Sequence, residues 1–161
     1  MNQSHSKSIS YSEEFKVIAL RECPLPEEMK ICDQPQGAVD YWHLNVATNP
    51  YFNPECECFV VLLLNTRRRV RGHHLVSFGT MNTVLVHPRE VFRVAVICGA
   101  AGVVLMHNHP SGEPQPSEAD IKVTRDLIRA GQLMQIDVVD HVIIGNGKHC
   151  SLRELGHIQY S

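Results

Sequence analysis

Two histidines separated by one residue follow an apolar run and are the first candidates for chemistry in this chain. The run 102–106 leads into His107 and His109, and a turn signal at 110–112 then breaks the pattern. Alternate side chains of a β-strand point to one face, so the two imidazoles should share a side. Because neutral imidazole is a common ligand of metal ions, the spacing predicts a divalent metal site at the mouth of a buried strand.

Asp120 is the best candidate for a third ligand. A catalytic zinc has three protein ligands and an open position, whereas a structural zinc normally has four. A short loop separates His109 from the helix predicted to start at Ser117, and Asp120 lies on the inward face of that helix. The spacing of Ser117 and Asp120 also predicts a capping box, and taken alone it favours the cap. The two interpretations are compatible, because a serine that accepts a backbone N–H can still donate its own proton.

Glu57 is the candidate for proton transfer. Zinc lowers the pKa of a bound water from ~15.7 to roughly 7, and a hydrolase needs a base that takes the water's proton. Glu57 stands at the entrance of an apolar strand, on the same face as Phe59 and Val61. A carboxylate at such a dry edge should have a raised pKa. The alternative of a solvated glutamate at a strand end stays open, and Glu90 falls in a first helical turn, where an acid is favoured anyway.

The elements that must position these residues follow from periodicity and turn signals. Helices are predicted over 36–47, 89–99 and 117–135, and strands over 59–64, 70–78, 102–109, 136–145 and 148–152, with an extended piece at 83–87. This order favours a mixed sheet flanked by helices, either α+β or α/β. On the longest helix, a stripe at helical spacing is predicted to face inward, and it consists of Asp120, Val123, Leu127, Ala130 and Met134.

Composition narrows the class of protein. The chain has 161 residues, of which 43% are hydrophobic, and this suits one domain with a sizeable core. A net charge of -2 does not favour wholesale nucleic-acid binding. We find neither a membrane span nor a signal-peptide core in the sequence, so a cytoplasmic protein without a membrane partner is expected. The six cysteines lack a CxxC pair and are predicted to be free thiols.

The polar, proline-containing residues 1–34 are predicted to form a partly ordered N-terminal arm, followed by one domain over 35–161. Within the domain, His141 follows Asp140 on the strand after the longest helix. It is predicted to be a hydrogen-bonded core histidine, with a position beside the metal as the alternative. Asn108 should face away from the histidines that flank it and make a structural hydrogen bond.

The motif residues also resemble a known family. His107-x-His109, seven residues, Ser117, two residues and Asp120, with Glu57 upstream, looks like the JAMM signature of JAB/MPN-type metalloproteases. The wider sequence is closer still to the bacterial RadC family, over about residues 36–156. The stretches that carry this resemblance are Phe59–Asn65, Gly79–Asn82, Val86–Glu90, His107–Gly112 and Asp140–His141.

The resemblance implies an α/β fold, a three-layer α/β/α mixed sheet of the JAB/MPN, cytidine-deaminase-like kind. It implies a zinc ion held by His107, His109 and Asp120. It also implies that Glu57 is the general acid/base and that Ser117 donates a hydrogen bond to the tetrahedral oxyanion. In the wider superfamily the reaction is hydrolysis of peptide or isopeptide bonds, so an unidentified protein or peptide is the expected substrate.

Two other functions stay open at this stage. RadC proteins carry a DNA-repair label, which suggests a DNA-associated or mobile-element accessory module. Longer members have an N-terminal helix-hairpin-helix-like region, and we expect none here, so a DNA partner is weakly supported. The third possibility is a metal-binding scaffold without catalysis. A divalent metal other than zinc stays possible, because affinity alone does not choose the ion.

Overall fold

A computed structural model describes residues 13–14, 16, 18–80 and 86–159 of the chain. Within these residues, one mixed sheet has the strand order β2-β1-β3-β4-β5. β1 pairs antiparallel with both β2 and β3, β3 and β4 are parallel, and β4 and β5 are antiparallel. The strands are β1 Glu57–Leu64, β2 Val70–Thr80, β3 Gly102–Asn108, β4 Asp137–Ile144 and β5 His149–Ser151.

Helices cover both faces of this sheet. On one face lies α1, Pro35–Tyr41, which continues as a π-helix over Trp42–Val46. On the other face lie α2, Pro88–Ile97, and α3, Glu118–Met134. A 3-10 turn at Glu27–Met29 precedes them. The predicted three-layer α/β/α arrangement around a mixed sheet is therefore confirmed.

The nearly continuous apolar sequence of β1 reflects its place between these layers. A strand covered on both faces has no solvent side, so it loses the usual alternation of polar and apolar residues. Its side chains alternate between two separate cores. Val60, Leu62 and Leu64 pack on the α1 side, and Phe59, Val61 and Leu63 pack on the side of α2 and α3.

Most predicted elements are present, with small shifts at their ends. Pro88 is the first residue of α2, and its fixed φ suits that position. β1 begins two residues earlier than predicted and so includes Glu57. A turn at Asn146 and Gly147 joins β4 to β5, and Gly147 has a φ of 65°. Residues 83–85 of the predicted extended piece lie outside the described residues.

The predicted inward stripe of α3 is wrong at its C-terminal end. The buried residues of α3 are Thr124, Leu127 and Gly131, whereas Met134 is 38% exposed. The helix approaches β4 so closely that a Cβ at Gly131 would stand 2.4 Å from the carbonyl oxygen of Ile136. The left-handed residue after the helix, with a φ of 55°, then turns the chain into β4, so the last helical turn stays outside the core.

The described part of the predicted arm contacts the domain at several points; residues 1–12, 15 and 17 lie outside the described residues. Asn45 donates a hydrogen bond to the Pro24 carbonyl at 3.0 Å, and Ile31 forms an isolated bridge with Arg69. All six cysteines are free thiols, as predicted. Among the described residues, no helix combines the length and apolarity that crossing a membrane requires.

Candidate metal centre

β3 presents the two histidines at its carboxyl end. His107 pairs with Phe59 of β1 and with Ile143 of β4, which fixes its position in the middle of the sheet. His109 lies just beyond β3, where its backbone N–H still donates to the Ile144 carbonyl at 3.0 Å. The chain then turns at Gly112, whose φ of 82° is a conformation that favours glycine. Both imidazoles therefore face the same side of the sheet.

The structure brings together the three predicted ligands. The Nε2 atoms of His107 and His109 are 3.0 Å apart. The two oxygens of Asp120 approach them, with Oδ1 at 3.2 Å from Nε2 of His107 and Oδ2 at 3.4 Å from Nε2 of His109. One ligand atom from each residue lies within 4.8 Å of the other two. Three donors this close suit a single divalent cation.

The hydrogen bond on the far side of His109 supports this fit. Nδ1 of His109 lies 2.8 Å from the carbonyl oxygen of Glu113. A carbonyl only accepts, so Nδ1 carries the hydrogen, and in the neutral ring Nε2 has a free lone pair. That lone pair points at the Asp120 carboxylate, which is also an electron-pair donor. Such a cluster of donors could hold a metal ion.

Ser117 is the N-cap of α3 and contacts Asp120 in three ways. The Asp120 N–H donates to Oγ of Ser117 at 3.1 Å, and the Ser117 N–H donates to Oδ2 of Asp120 at 2.7 Å. The predicted capping box is confirmed. The Ser117 hydroxyl in turn donates to Oδ2 of Asp120 at 2.7 Å. One serine therefore both starts the helix and holds the carboxylate of a candidate ligand.

Glu57 reaches the same place from β1. Its Oε1 lies 3.9 Å from Nε2 of His107, and its side chain is 19% exposed. Burial raises the pKa of Glu57, and the charge of Asp120 adds to this rise, while His107 opposes it. Phe59, on the same face of β1, stacks against the His107 ring with an interplanar angle of 11°. The structure therefore places the Glu57 side chain near the histidines and partly shielded from water, in agreement with the predicted position.

The side chains of the cluster shift one another's pKa values. Burial disfavours ionisation of Asp120, but hydrogen bonds from His107, His109 and Ser117 outweigh it and hold the pKa of Asp120 well below its usual range. The hydrogen bond to Asp120 raises the pKa of His109, against the effect of burial. In the metal-free protein, protons and a cation therefore compete for the same cluster.

The cluster opens into a cleft between β1 and the start of α3. Its lining combines polar motif residues with apolar side chains. The residues that line the cleft are Glu57, Phe59, Val86, His109, Ser117, Ala119, Asp120 and Val123.

Comparison with known proteins decides the family. A family model described as the RadC-like JAB domain matches residues 32–157. The chain belongs to this family. RadC-like relatives include a UPF0758 protein of Desulforamulus reducens, 51% identical over 102 residues, which are 63% of this chain and 45% of the relative. Another, from Methanosarcina acetivorans, is 45% identical over 103 residues, 64% of this chain and 45% of the relative. The chain thus spans less than half the length of these curated relatives.

Two further side chains support the site of this RadC-like JAB domain. Asn108, predicted to make a structural hydrogen bond, accepts from the Cys58 N–H at 2.8 Å and donates to the Cys56 carbonyl at 3.0 Å. His141 is a hydrogen-bonded core histidine, as predicted: it is fully buried, and its Nε2 lies 2.8 Å from Nδ1 of His107. Its alternative position beside a metal stays a prediction.

Thr124 was missed by the sequence analysis. It is buried, and its Oγ1 lies 2.6 Å from Nδ1 of His141. The one signal that could have found it is its position four residues after Asp120, on the same side of a helix.

Proposed function

We propose that this protein is a zinc-dependent hydrolase of peptide or isopeptide bonds. One observation carries the proposal: ligand atoms of His107, His109 and Asp120 lie within 4.8 Å of one another, beside the half-buried carboxylate of Glu57. Two imidazoles and one carboxylate are a donor set of catalytic zinc sites, and three protein ligands leave a coordination position for water. A structural zinc would normally take a fourth protein ligand.

Each motif residue has a distinct task in the proposed reaction. Zinc would supply Lewis acidity that lowers the pKa of a water molecule from ~15.7 to roughly 7. Glu57 accepts the proton of the attacking water and passes it to the leaving amine, and its raised pKa suits both halves of that transfer. The Ser117 hydroxyl, which donates to Asp120 in the resting site, rotates about its C–O bond to donate to the oxyanion.

The cleft favours a peptide over a nucleic acid. The apolar side chains of Phe59, Val86 and Val123 line the same cleft as Glu57, and an apolar lining suits the side chains of an extended peptide. None of the described residues that line the cleft is a lysine or arginine, the side chains that bind phosphates. The net charge of -2 also gives the DNA-associated alternative no support.

The test combines metal binding with hydrolysis. Purified full-length chain is expected to bind about one zinc ion and to cleave members of a pool of fluorogenic peptides and lysine-isopeptide-linked peptides. His109→Ala should lose both properties. Glu57→Gln should keep zinc but lose hydrolysis by at least about 100-fold, the typical contribution of a general base. Unchanged hydrolysis in Glu57→Gln, or zinc binding without cleavage of any pool member, would refute the proposed activity.

A further inference from the structure

A chain of hydrogen bonds runs from the metal centre into the core, away from the cleft. Nδ1 of His107 contacts Nε2 of His141 at 2.8 Å, and Nδ1 of His141 contacts Oγ1 of Thr124 at 2.6 Å. Oγ1 of Thr124 then contacts the carbonyl oxygen of Asp120, also at 2.6 Å. The two imidazoles are fully buried and Thr124 is 1% exposed, so water does not compete for these bonds. The chain begins at one proposed ligand and ends at the backbone of another.

The direction of every bond in this chain is determined by its last member. The Asp120 carbonyl can only accept, so Thr124 donates its single hydroxyl hydrogen there. Thr124 must then accept from Nδ1–H of His141. Among the described residues, no carboxylate forms an ion pair with His141, and a buried imidazole without such a partner stays neutral and has one N–H.

It follows that Nε2 of His141 carries a lone pair and accepts from Nδ1–H of His107. A neutral His107 with its hydrogen on Nδ1 has its free lone pair on Nε2, the atom that faces His109 and Asp120. With the opposite tautomer of His141, the His107 hydrogen would point into the centre, where it would block a cation. The protonation pattern of the core thus selects the form of His107 that can bind metal.

We propose that His141 and Thr124 are positioning residues that hold His107 in its metal-binding tautomer and tie β3 to α3. Neither residue touches the proposed ion or a substrate. The inference rests on the proposed metal site, but it does not depend on hydrolysis. The link matters because His107 and Asp120 come from separate elements, and outer-shell partners of this kind orient ligands and raise metal affinity.

A matched pair of substitutions tests the role of Thr124. Thr124→Val keeps the shape of the side chain but removes the hydroxyl, so His141 loses the acceptor that sets its tautomer. Its zinc dissociation constant should rise about 10- to 100-fold. Thr124→Ser keeps the hydroxyl and should bind zinc close to wild type. A purely structural role would lower the unfolding temperature and leave zinc affinity unchanged in the folded variant, and that result would overturn the proposal.

Ring protonation supplies a second readout that needs no variant. In the metal-free wild type, 15N chemical shifts of the imidazoles should show hydrogen on Nδ1 and a lone pair on Nε2 for His141, and hydrogen on Nδ1 for His107. Hydrogen on Nε2 of His141 would overturn the proposal even if every variant bound zinc as expected. Failure of the wild type to bind zinc would refute the proposed function, whereas zinc binding without hydrolysis would leave this inference intact.

Discussion

The side-chain amide of Asn108 is bonded to the backbone on both sides of Glu57. Its oxygen accepts from the N–H of Cys58, and its nitrogen donates to the carbonyl of Cys56. The backbone register between β1 and β3 begins at Phe59, so this amide extends the pairing of the two strands by one side chain. Asn108 stands in the sequence between the two histidines of the candidate metal centre, so it links the backbone around Glu57 directly to the segment that carries them.

Asn108→Ala is therefore expected to lower kcat by at least about tenfold, since small displacements of a proton-transfer group are costly. Zinc affinity should stay near wild type, because the ligands themselves are untouched. The matched control is Asn65→Ala, which removes an amide that accepts from Arg67 and Arg69 in the turn between β1 and β2. Steady-state kinetics and isothermal titration of zinc measure the two effects. An equal loss of kcat in both variants would contradict the positioning of Glu57.

Substitutions can separate two roles of Ser117, the N-cap of α3 and the proposed hydroxyl donor to the oxyanion. Ser117→Ala should lower the free energy of unfolding by about 1 kcal/mol, the typical value of an N-cap. If the hydroxyl also donates to the oxyanion, kcat should fall roughly 100- to 1000-fold. Ser117→Asn restores a good cap without the hydroxyl, so stability should recover while kcat stays low. Full recovery of kcat in Ser117→Asn would show that Ser117 acts through the helix alone.

Zinc affinity should decline on acidification over a range that begins above the ordinary pKa of histidine. The ligands must be deprotonated to bind the ion, and the hydrogen bond to Asp120 raises the pKa of His109 above 6.5. A proton therefore competes for His109 at a higher pH than for a free imidazole. Competition titrations with a chromophoric chelator between pH 8 and 5 would measure this, and an affinity independent of pH would contradict the assignment of His109 as a ligand.

The metal-free protein should lose stability as pH falls below about 6.5, the pKa of an unfolded histidine. Burial lowers the pKa of His73 to about 4 and the pKa of His141 well below 6.5. The unfolded chain thus binds more protons in this range, and each ring contributes a slope of up to about 1.4 kcal/mol per pH unit. Urea unfolding at several pH values tests this. His73→Gln should reduce the difference in bound protons between the unfolded and folded states by up to one.

Asp140 is predicted to act on stability rather than on the reaction. This carboxylate is 2% exposed and accepts hydrogen bonds from the His141 and Arg153 backbone and from the Ser151 hydroxyl. Asp140→Ala should lower the free energy of unfolding by more than about 2 kcal/mol, because it leaves buried hydrogen-bond donors without an acceptor. Asp137→Ala, at an exposed residue 4.0 Å from Arg68, should cost less than about 1 kcal/mol. A similar cost in both variants would contradict this role.

Much of the candidate site was predictable because it depends on short-range geometry. The period of a β-strand places His107 and His109 on one face, and the same rule places Glu57 with Phe59. The capping box of Ser117 and Asp120 is equally local, since it joins residues three apart. These relationships hold in any fold that keeps the strand and the helix.

Contacts between elements that are far apart in the chain could not be predicted from such local rules. The rotation of α3 about its axis, which buries Thr124 and leaves Met134 exposed, depends on how closely Gly131 approaches the start of β4. The bond from Thr124 to His141 depends on that rotation, and the reach of Asn108 to the start of β1 depends on the pairing of β1 with β3. By itself, the sequence determined which residues are candidates for binding metal, because ligand type and periodicity are local. Only the tertiary structure decided which residues hold them in place, because that depends on the packing of elements far apart in the chain.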